Sequence, residues 1–551
     1  MHFICNWNDC FCSFSLYCCC IDYCVGFDSC RLEPLQILTK GEASDENCCC
    51  QKSQSIQRNF TNAFRYKKER HNSVNKTAAL IAAIFIIIYY EAKAMKIEIN
   101  PNKKYQTFER IGASGAWWAQ IVGGWEHSDP ESGKQVRDRI SELLFSKESG
   151  IGMGIYRYNI GAGSKHSGKG EYSMPARSTE CFEVSKGKYD WNRDKNAVYM
   201  MKQAVKDGAD EVILFVNSPP ERLTKNGMAH ADKGKLFREN ISRENYKEFA
   251  DYCLDITEHF VNDGIPVRYI SPVNEPIWIW NGGQEGCHYK PSSVKSVFEV
   301  FADEINKRPS LKNVKLSGAE SGDLRWFNKT YTKKLLQNQD VRSLLDAVDV
   351  HSYCLPVPLP FDVPFLNNRL SFVKRFRKWM DKHYPEVPVK MSEWCHMQGG
   401  RDKTIDSALV MAETMYEDIA FLNVTSWQHW IAVSEVDYCD GLIYINLDDK
   451  TFEMTKRYYA TGNFSKYIVP GSIRVEAKSD DKYLLTLAFD NNGIITLIVI
   501  NKSDSVKHIE LPSDNIKAAV TDKDNDLSES VVNDGNISLT PRSVNTFVFE
   551  I

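Results

Sequence analysis

The chain has 551 residues, of which 43% are apolar, and a formal charge of -4 at neutral pH. That balance, with no basic motif along the chain, excludes an electrostatic case for nucleic-acid binding. The 12 tryptophans and 25 tyrosines suit sugar faces and apolar cores equally well, so composition does not choose between them.

Residues 1–94 read as a leader. Eleven of the 17 cysteines lie in the first 50 residues, yet none forms a Cys-x-x-Cys pair with a partner pair, so no zinc module is expected. The run "AALIAAIFIIIYY" (78–90) is 13 residues long, too short for a membrane span, and stable membrane insertion is not expected. Lys67, Lys68, Arg70 and Lys76 precede it and Ala92-Lys93-Ala94 follows, the order of a secretory signal. Export is the favoured reading. A start at Met95, with a cytoplasmic product, is the alternative.

From residue 109 onward, eight apolar runs of strand length end in polar or Gly/Pro residues. They are "RIGASG", "GIYRYNIG", "EVILFVNSPP", "VRYISPVNEP", "VKLSGAES", "AVDVHSY", "VPVKMSEW" and "VTSWQHW". Helix-like stretches such as "RENYKEFADYCLDITEHFVNDG" and "KSVFEVFADEINKR" intervene, with apolar residues at three- and four-residue spacing. Repeated strand–helix units predict a parallel sheet, and eight of them predict a (β/α)8 TIM barrel over 109–457. After that the pattern becomes short alternating runs separated by Asp, Asn, Gly and Ser, which predicts an appended β-sandwich side domain over 458–551. The strand-like 95–108 segment is expected to join it.

In a barrel the chemistry collects where strands end. The expected cluster is Asn159, Asn217, Asn274, Glu275, Glu320, His351, Tyr353, Glu393, Trp427 and Gln428. Within "YISPVNEPIWIW" a carboxylate closes an apolar strand among aromatics, a costly position unless it is used or paired. Glu275 on the fourth strand and Glu393 on the seventh lie across the predicted barrel mouth. Two carboxylates with pKa values held apart can protonate a leaving glycosidic oxygen and attack the anomeric carbon. Glu320 is the main competitor, as a substrate ligand or a structural partner. His351 is equally readable as a core residue or a site residue. Trp117, Trp118, Trp278, Trp280, Trp427 and Trp430 can all pack the rim, and Trp278 and Trp427 are the preferred sugar platforms. No phosphate loop, zinc triad, Ser-His-Asp set or cofactor motif is present.

The pairing of "SPVNEP" with "KMSEW" resembles glycoside hydrolase family 30, a family of retaining (β/α)8 enzymes. "GASGAWWAQ", "YRYNIGAGS", "NSPP", "HSYC", "SWQHW" and "YYATGNFSKYIVPGS" support the resemblance, which covers about residues 96–551. It implies that Glu275 is the acid/base and Glu393 the nucleophile. It also implies that Asn274 holds the sugar 2-hydroxyl, Tyr353 orients the nucleophile and Trp427 floors the −1 subsite. Asn217, Trp278, Trp118, His351 and Glu320 complete the expected substrate-binding set. Where some members carry Ser-Pro-Trp, this chain has Ser218-Pro219-Pro220, so that wall departs from the pattern. "GAWWAQ", "NEPIWIW" and "QEGCHY" look most like the endo-β-1,6-galactanase branch, which implies β-1,6-galactan as substrate. A glucuronoxylanase, a β-1,6-glucanase and an exo-β-glycosidase are the alternatives within the family. Outside it stand a non-catalytic glycan-binding protein and a surface-anchored protein whose leader is the functional part.

Overall fold

The computed structural model describes residues 95–325, 328–354 and 368–551. The expectations for residues 1–94 lie outside the described residues. No helix among the described residues is long and apolar enough to cross a membrane.

All eight expected strands form: β1 (Arg110–Ser114), β2 (Ile155–Ile160), β3 (Glu211–Val216), β4 (Val267–Ser271), β5 (Lys315–Leu316), β6 (Val348–His351), β7 (Val389–Trp394) and β8 (Val424–Ser434). They make one parallel sheet in the order β6-β7-β8-β1-β2-β3-β4-β5. Chain neighbours other than β5 and β6, which end the order, are therefore sheet neighbours, and all C-terminal ends point one way. Past β5, parallel bridges join Leu316 to Leu345 and Ala319 to Asp349. The Asp349 amide donates to Gly318 O at 2.7 Å, and the Glu320 amide to Asp349 O at 3.1 Å. Strands Gly441–Asn446 and Thr451–Met454 extend the sheet beyond β8.

The crossovers are helical: α1 (Val136–Phe145), α2 (Lys195–Asp207), α3 (Tyr246–Asn262), α4 (Pro291–Ile305), α5 (Asn328–Leu336), α6 (Arg369–His383) and α7 (Ile405–Glu417). In α3, the buried Tyr246, Phe249, Ala250, Cys253, Ile256, Thr257 and Phe260 recur every three or four residues, which forms one apolar stripe against the sheet. Burying each large side chain of that stripe contributes about 1.5–3 kcal/mol. Pro291 opens α4, where its missing N–H costs nothing. The strands between are buried on both faces, as "EVILFV" of β3 is throughout. They consequently read as continuous apolar runs rather than alternating ones.

The C-terminal part is β-rich. A seven-stranded antiparallel sheet runs in the order 98–107, 473–478, 484–491, 494–501, 543–550, 516–521 and 528–532. A three-stranded sheet joins Met95–Lys96, Lys507–Glu510 and Asn536–Leu539. Strand Ile494–Asn501 shows why the run "GIITLIVIN" is apolar almost throughout. Its Ile495, Leu497 and Val499 join Ile509, Ile537 and Leu539 of the smaller sheet, together with Phe547 and Phe549. Its Ile498 and Ile500 face the other way, into the core shared with the parallel-sheet part. Helix α8 (Lys456–Ser465) spans the two parts. Tyr458 Oη donates to Leu143 O at 2.8 Å, and Asn463 Nδ2 to Ala519 O at 3.1 Å. The expected division at 457/458 thus falls within this helix.

Candidate active site

The C-terminal strand ends bring together three carboxylates, one guanidinium and one imidazole. Arg157 of β2 is fully buried. Its Nη1 donates to Glu393 Oε2 at 2.7 Å and its Nη2 to Asn274 Oδ1 at 2.9 Å, while the guanidinium lies 3.7 Å over the Phe215 ring. Asn274 Nδ2 donates in turn to Asn217 Oδ1 at 3.1 Å, and Asn217 Nδ2 to Asn159 Oδ1 at 2.9 Å. On the other side, His351 places Nδ1 2.8 Å from Glu275 Oε1 and Nε2 2.7 Å from Glu320 Oε2. Tyr353 Oη donates to Glu393 Oε1 at 3.4 Å. An oxygen of Glu275, an oxygen of Glu393 and a ring nitrogen of His351 all lie within 4.8 Å of one another.

Local backbone features aim these groups. Register slips between β7 and both its neighbours at Met391–Trp394. A bulge of this kind breaks strict alternation and re-aims side chains. The adjacent Ser392 and Glu393 accordingly both reach site partners, Glu320 and Arg157. Trp117, Glu275 and Glu320 adopt left-handed φ values of 50°, 45° and 51°, each costing about 1–3 kcal/mol for a residue with a side chain. Three such residues at one strand-end face are the pattern expected where positioning outranks local stability. Gly322 (φ 77°) runs so close that a Cβ there would meet Trp278 Nε1 at 2.7 Å and Glu275 Cδ at 3.2 Å.

The electrostatics separate the carboxylates. Burial pushes Glu275 up to about 7, with the Glu393 charge adding to it and the His351 hydrogen bond opposing it. Burial also works on Glu320, but the Arg157 charge, His351 and Ser392 outweigh it and hold Glu320 down at about 2. His351 is raised to about 10: burial lowers it, and Glu393, Glu275 and Glu320 together prevail.

A cavity of about 450 Å³ opens over this cluster, within the size range of small-molecule clefts. Glu275, Glu393, Asn274, Tyr353 and Trp278 line it, as expected. Asn217, His351 and Glu320 are buried behind these residues and act on them rather than on the cavity. Two expected sugar contacts are corrected. Trp118 is fully buried, with Nε1 donating to Ser114 O at 2.9 Å, and does not line the cavity. Trp427 is likewise fully buried, and its Nε1 donates to Asp418 Oδ2 at 3.1 Å. Their neighbours reach the cavity instead. Trp117 and Trp430 line the cavity and meet edge-to-face at 5.1 Å. Within β8 the register slips between His429 and Ile431, and the contacts separate the two rings: Trp427 is held by Asp418, whereas Trp430 packs on Trp117 and reaches the cavity. Trp427→Ala is expected to cost about 3–5 kcal/mol of stability. Trp430 is half-buried against Trp117 and Phe215, so Trp430→Ala should cost less stability than that and raise KM. Thermal melts with steady-state kinetics check this, and the reverse pattern would restore Trp427 as the sugar contact.

Sequence reasoning passed over Arg157, although an arginine inside the apolar run "IYRYNI" is itself a signal. It also missed Arg177, at the end of the 3-10 turn Pro175–Arg177, and Met397, Tyr438 and Asp440, all of which line the cavity. Glu285, which follows β4 in the chain, is buried and accepts hydrogen bonds from the Ala162 amide and the Ser164 hydroxyl.

The chain is 25% identical over 405 residues to an endo-beta-1,6-galactanase of Hypocrea rufa, covering 68% of this chain and 75% of that protein. A conserved exported protein from Bacteroides fragilis superposes with a TM-score of 0.71 at 23% identity, over 82% of this chain and all of that one. The catalytic domain of a family 30 xylanase C from Talaromyces cellulolyticus superposes with a TM-score of 0.63 at 20% identity, over 83% of this chain and all of that domain. The model of O-glycosyl hydrolase family 30 matches residues 94–444, the span that carries every group of this cluster, and the chain belongs to that family.

Proposed function

We propose that the protein is a retaining glycosidase that cleaves β-1,6-galactan by double displacement, on a (β/α)8 barrel closed between β5 and β6. One observation carries the mechanism: Glu275 and Glu393 present oxygens within 4.8 Å of each other at one cavity. Retaining enzymes hold their carboxyl groups roughly 5–5.5 Å apart, whereas inverting enzymes leave a gap for water. Glu275, the group with the raised pKa, donates its proton to the departing glycosidic oxygen. Glu393, oriented by Arg157 and Tyr353, attacks the anomeric carbon. Glu275 then takes a proton from the water that hydrolyses the glycosyl-enzyme. The bridges from Ala319 to Asp349 and from Leu316 to Leu345 support the closure. The galactan assignment rests on the likeness to the Hypocrea rufa enzyme.

The test is product analysis. The full chain is incubated with de-arabinosylated arabinogalactan, glucuronoxylan and β-1,6-glucan. Galactose and β-1,6-galactobiose or longer products from the first polymer alone are expected. Activity confined to another polymer would keep the two-carboxylate mechanism and overturn the substrate. Silence on all three would favour a glycan-binding protein.

A further inference from the structure

The acid role of Glu275 raises a question of atoms. A carboxyl group has two oxygens, and only a proton on the one facing the substrate can be transferred. Oε1 is engaged by His351 Nδ1 at 2.8 Å. No protein hydrogen bond reaches Oε2 among the described residues, and Glu275 lines the cavity. If the proton sat on Oε1 and pointed at Nδ1, Glu275 would be protonated and yet unable to donate.

Which oxygen carries it depends on His351, and His351 depends on what holds its far side. Its Nε2 lies 2.7 Å from Glu320 Oε2, an oxygen that also accepts from the Ser392 hydroxyl. Both ring nitrogens therefore face carboxylate oxygens. With Glu320 ionised, Nε2 must carry a hydrogen. A second hydrogen on Nδ1 then occupies Oε1 and leaves Oε2 for the transferable proton. The surroundings of Glu320 suit it to hold the ring in this way. It is fully buried, lies outside the cavity lining, and its Oε1 is 3.6 Å from Arg157 Nη2. We propose that Glu320 is a positioning residue that acts through His351, fixing Nδ1–H on Oε1 of Glu275 so that the catalytic proton is carried on Oε2. The proposal rests on the reading of Glu275 as the acid.

The charged and titratable groups around the pair are few. Arg157 approaches from β2 and Glu275 from the end of β4. Asp349 lies on β6, its pKa raised to about 7 by burial and by the Glu320 charge, and Lys390 of β7 opposes that shift. Glu393 of β7 lies 3.5 Å from Nδ1, and Tyr353 stands edge-on to the imidazole with ring centroids 6.1 Å apart. Arg157 is already committed to Glu393 and Asn274, so Glu320 is the carboxylate that holds Nε2.

The experiment uses the full chain with two probes, de-arabinosylated galactan and 2,4-dinitrophenyl β-1,6-galactobioside, whose leaving group needs no proton. In Glu320→Gln the neutral amide still accepts from Nε2–H but no longer retains the second ring proton. The variant should lose about 10- to 100-fold in kcat/KM on galactan, less than the roughly 10²–10⁴-fold of losing a general acid outright, and less than about 3-fold on the dinitrophenyl substrate. Without the neighbouring imidazolium, the basic limb of its pH–rate profile should move to higher pH. Ser392→Ala, which removes one hydrogen bond to Glu320, should show the same selectivity more weakly, and it decides the matter if Glu320→Gln fails to fold. Equal losses on both substrates with an unmoved basic limb would reduce Glu320 to a structural role and overturn the proposal. Glu275→Gln serves as the reference. If it spares the dinitrophenyl substrate and the Glu320 and Ser392 variants do not, this inference alone falls. If it too loses both activities equally, the acid reading falls and the inference goes with it.

Discussion

Glu393→Gln is expected to abolish turnover, by at least about 10⁴-fold in kcat, the scale seen when an essential nucleophile is removed, while the protein stays folded. The amide keeps the size of the carboxylate and an oxygen for Arg157 Nη1, now 2.7 Å from Glu393 Oε2, so the buried guanidinium retains an acceptor. What disappears is the charged oxygen that forms the covalent bond. A slow-turnover 2-fluoro glycoside should therefore label wild-type protein on the peptide containing Glu393, and leave the variant unlabelled. Near-normal rates in Glu393→Gln, or label on a different carboxylate, would end the double-displacement reading at these residues.

Glu275→Gln should lose most activity on galactan, on the order of 10²–10⁴-fold, and keep much of it on an aryl glycoside with a good leaving group. Equal loss on both would argue against an acid role. The pH dependence follows from the raised value. The acid must be protonated to donate, and burial pushes Glu275 up to about 7. Wild-type kcat/KM should thus fall as pH rises through about 7, and the variant should lack that limb. Stability follows the same group. Its ordinary value is 4.5 and its folded value is higher, so its favourable contribution is complete below 4.5 and is lost as pH climbs through about 7. Glu275→Gln should accordingly gain melting temperature relative to wild type above pH 7 and gain none at pH 4. Melts at the two pH values check the sign.

The two glutamates, Asn274 and Tyr353 were legible for one reason. Each ends an apolar run of strand length, and in a parallel sheet those ends converge. Period and punctuation carry that information along the chain itself. The eight strands were equally legible because burial on both faces leaves continuous apolar runs between polar ends. So was the change to short β-runs after α8. Arg157 was also visible, as a charge inside the run "IYRYNI". It was passed over because a single sequence does not show what it would pair with.

The tryptophans mark the limit. "SWQHW" offers Trp427 and Trp430 three residues apart. Their facing depends on how β8 packs against the segment carrying Asp418, which captures the Trp427 indole N–H. "GAWWAQ" poses the same choice, and the left-handed turn at Trp117 decides it. The roles of Glu320 and His351 were undecidable for a similar reason. The two lie 31 residues apart in the chain and 2.7 Å apart in space, and one hydrogen bond turns each from a generic buried polar residue into a partner. Sequence alone therefore determined the parallel-sheet architecture, the carboxylate pair and the family resemblance, because hydrophobic period and strand ends are local properties. Tertiary structure alone decided which aromatics face the cavity, that β7 bulges to aim Ser392 and Glu393, and that three buried carboxylates share one arginine and one histidine. Those outcomes depend on distances between residues far apart in the chain, and on the burial that separates their pKa values.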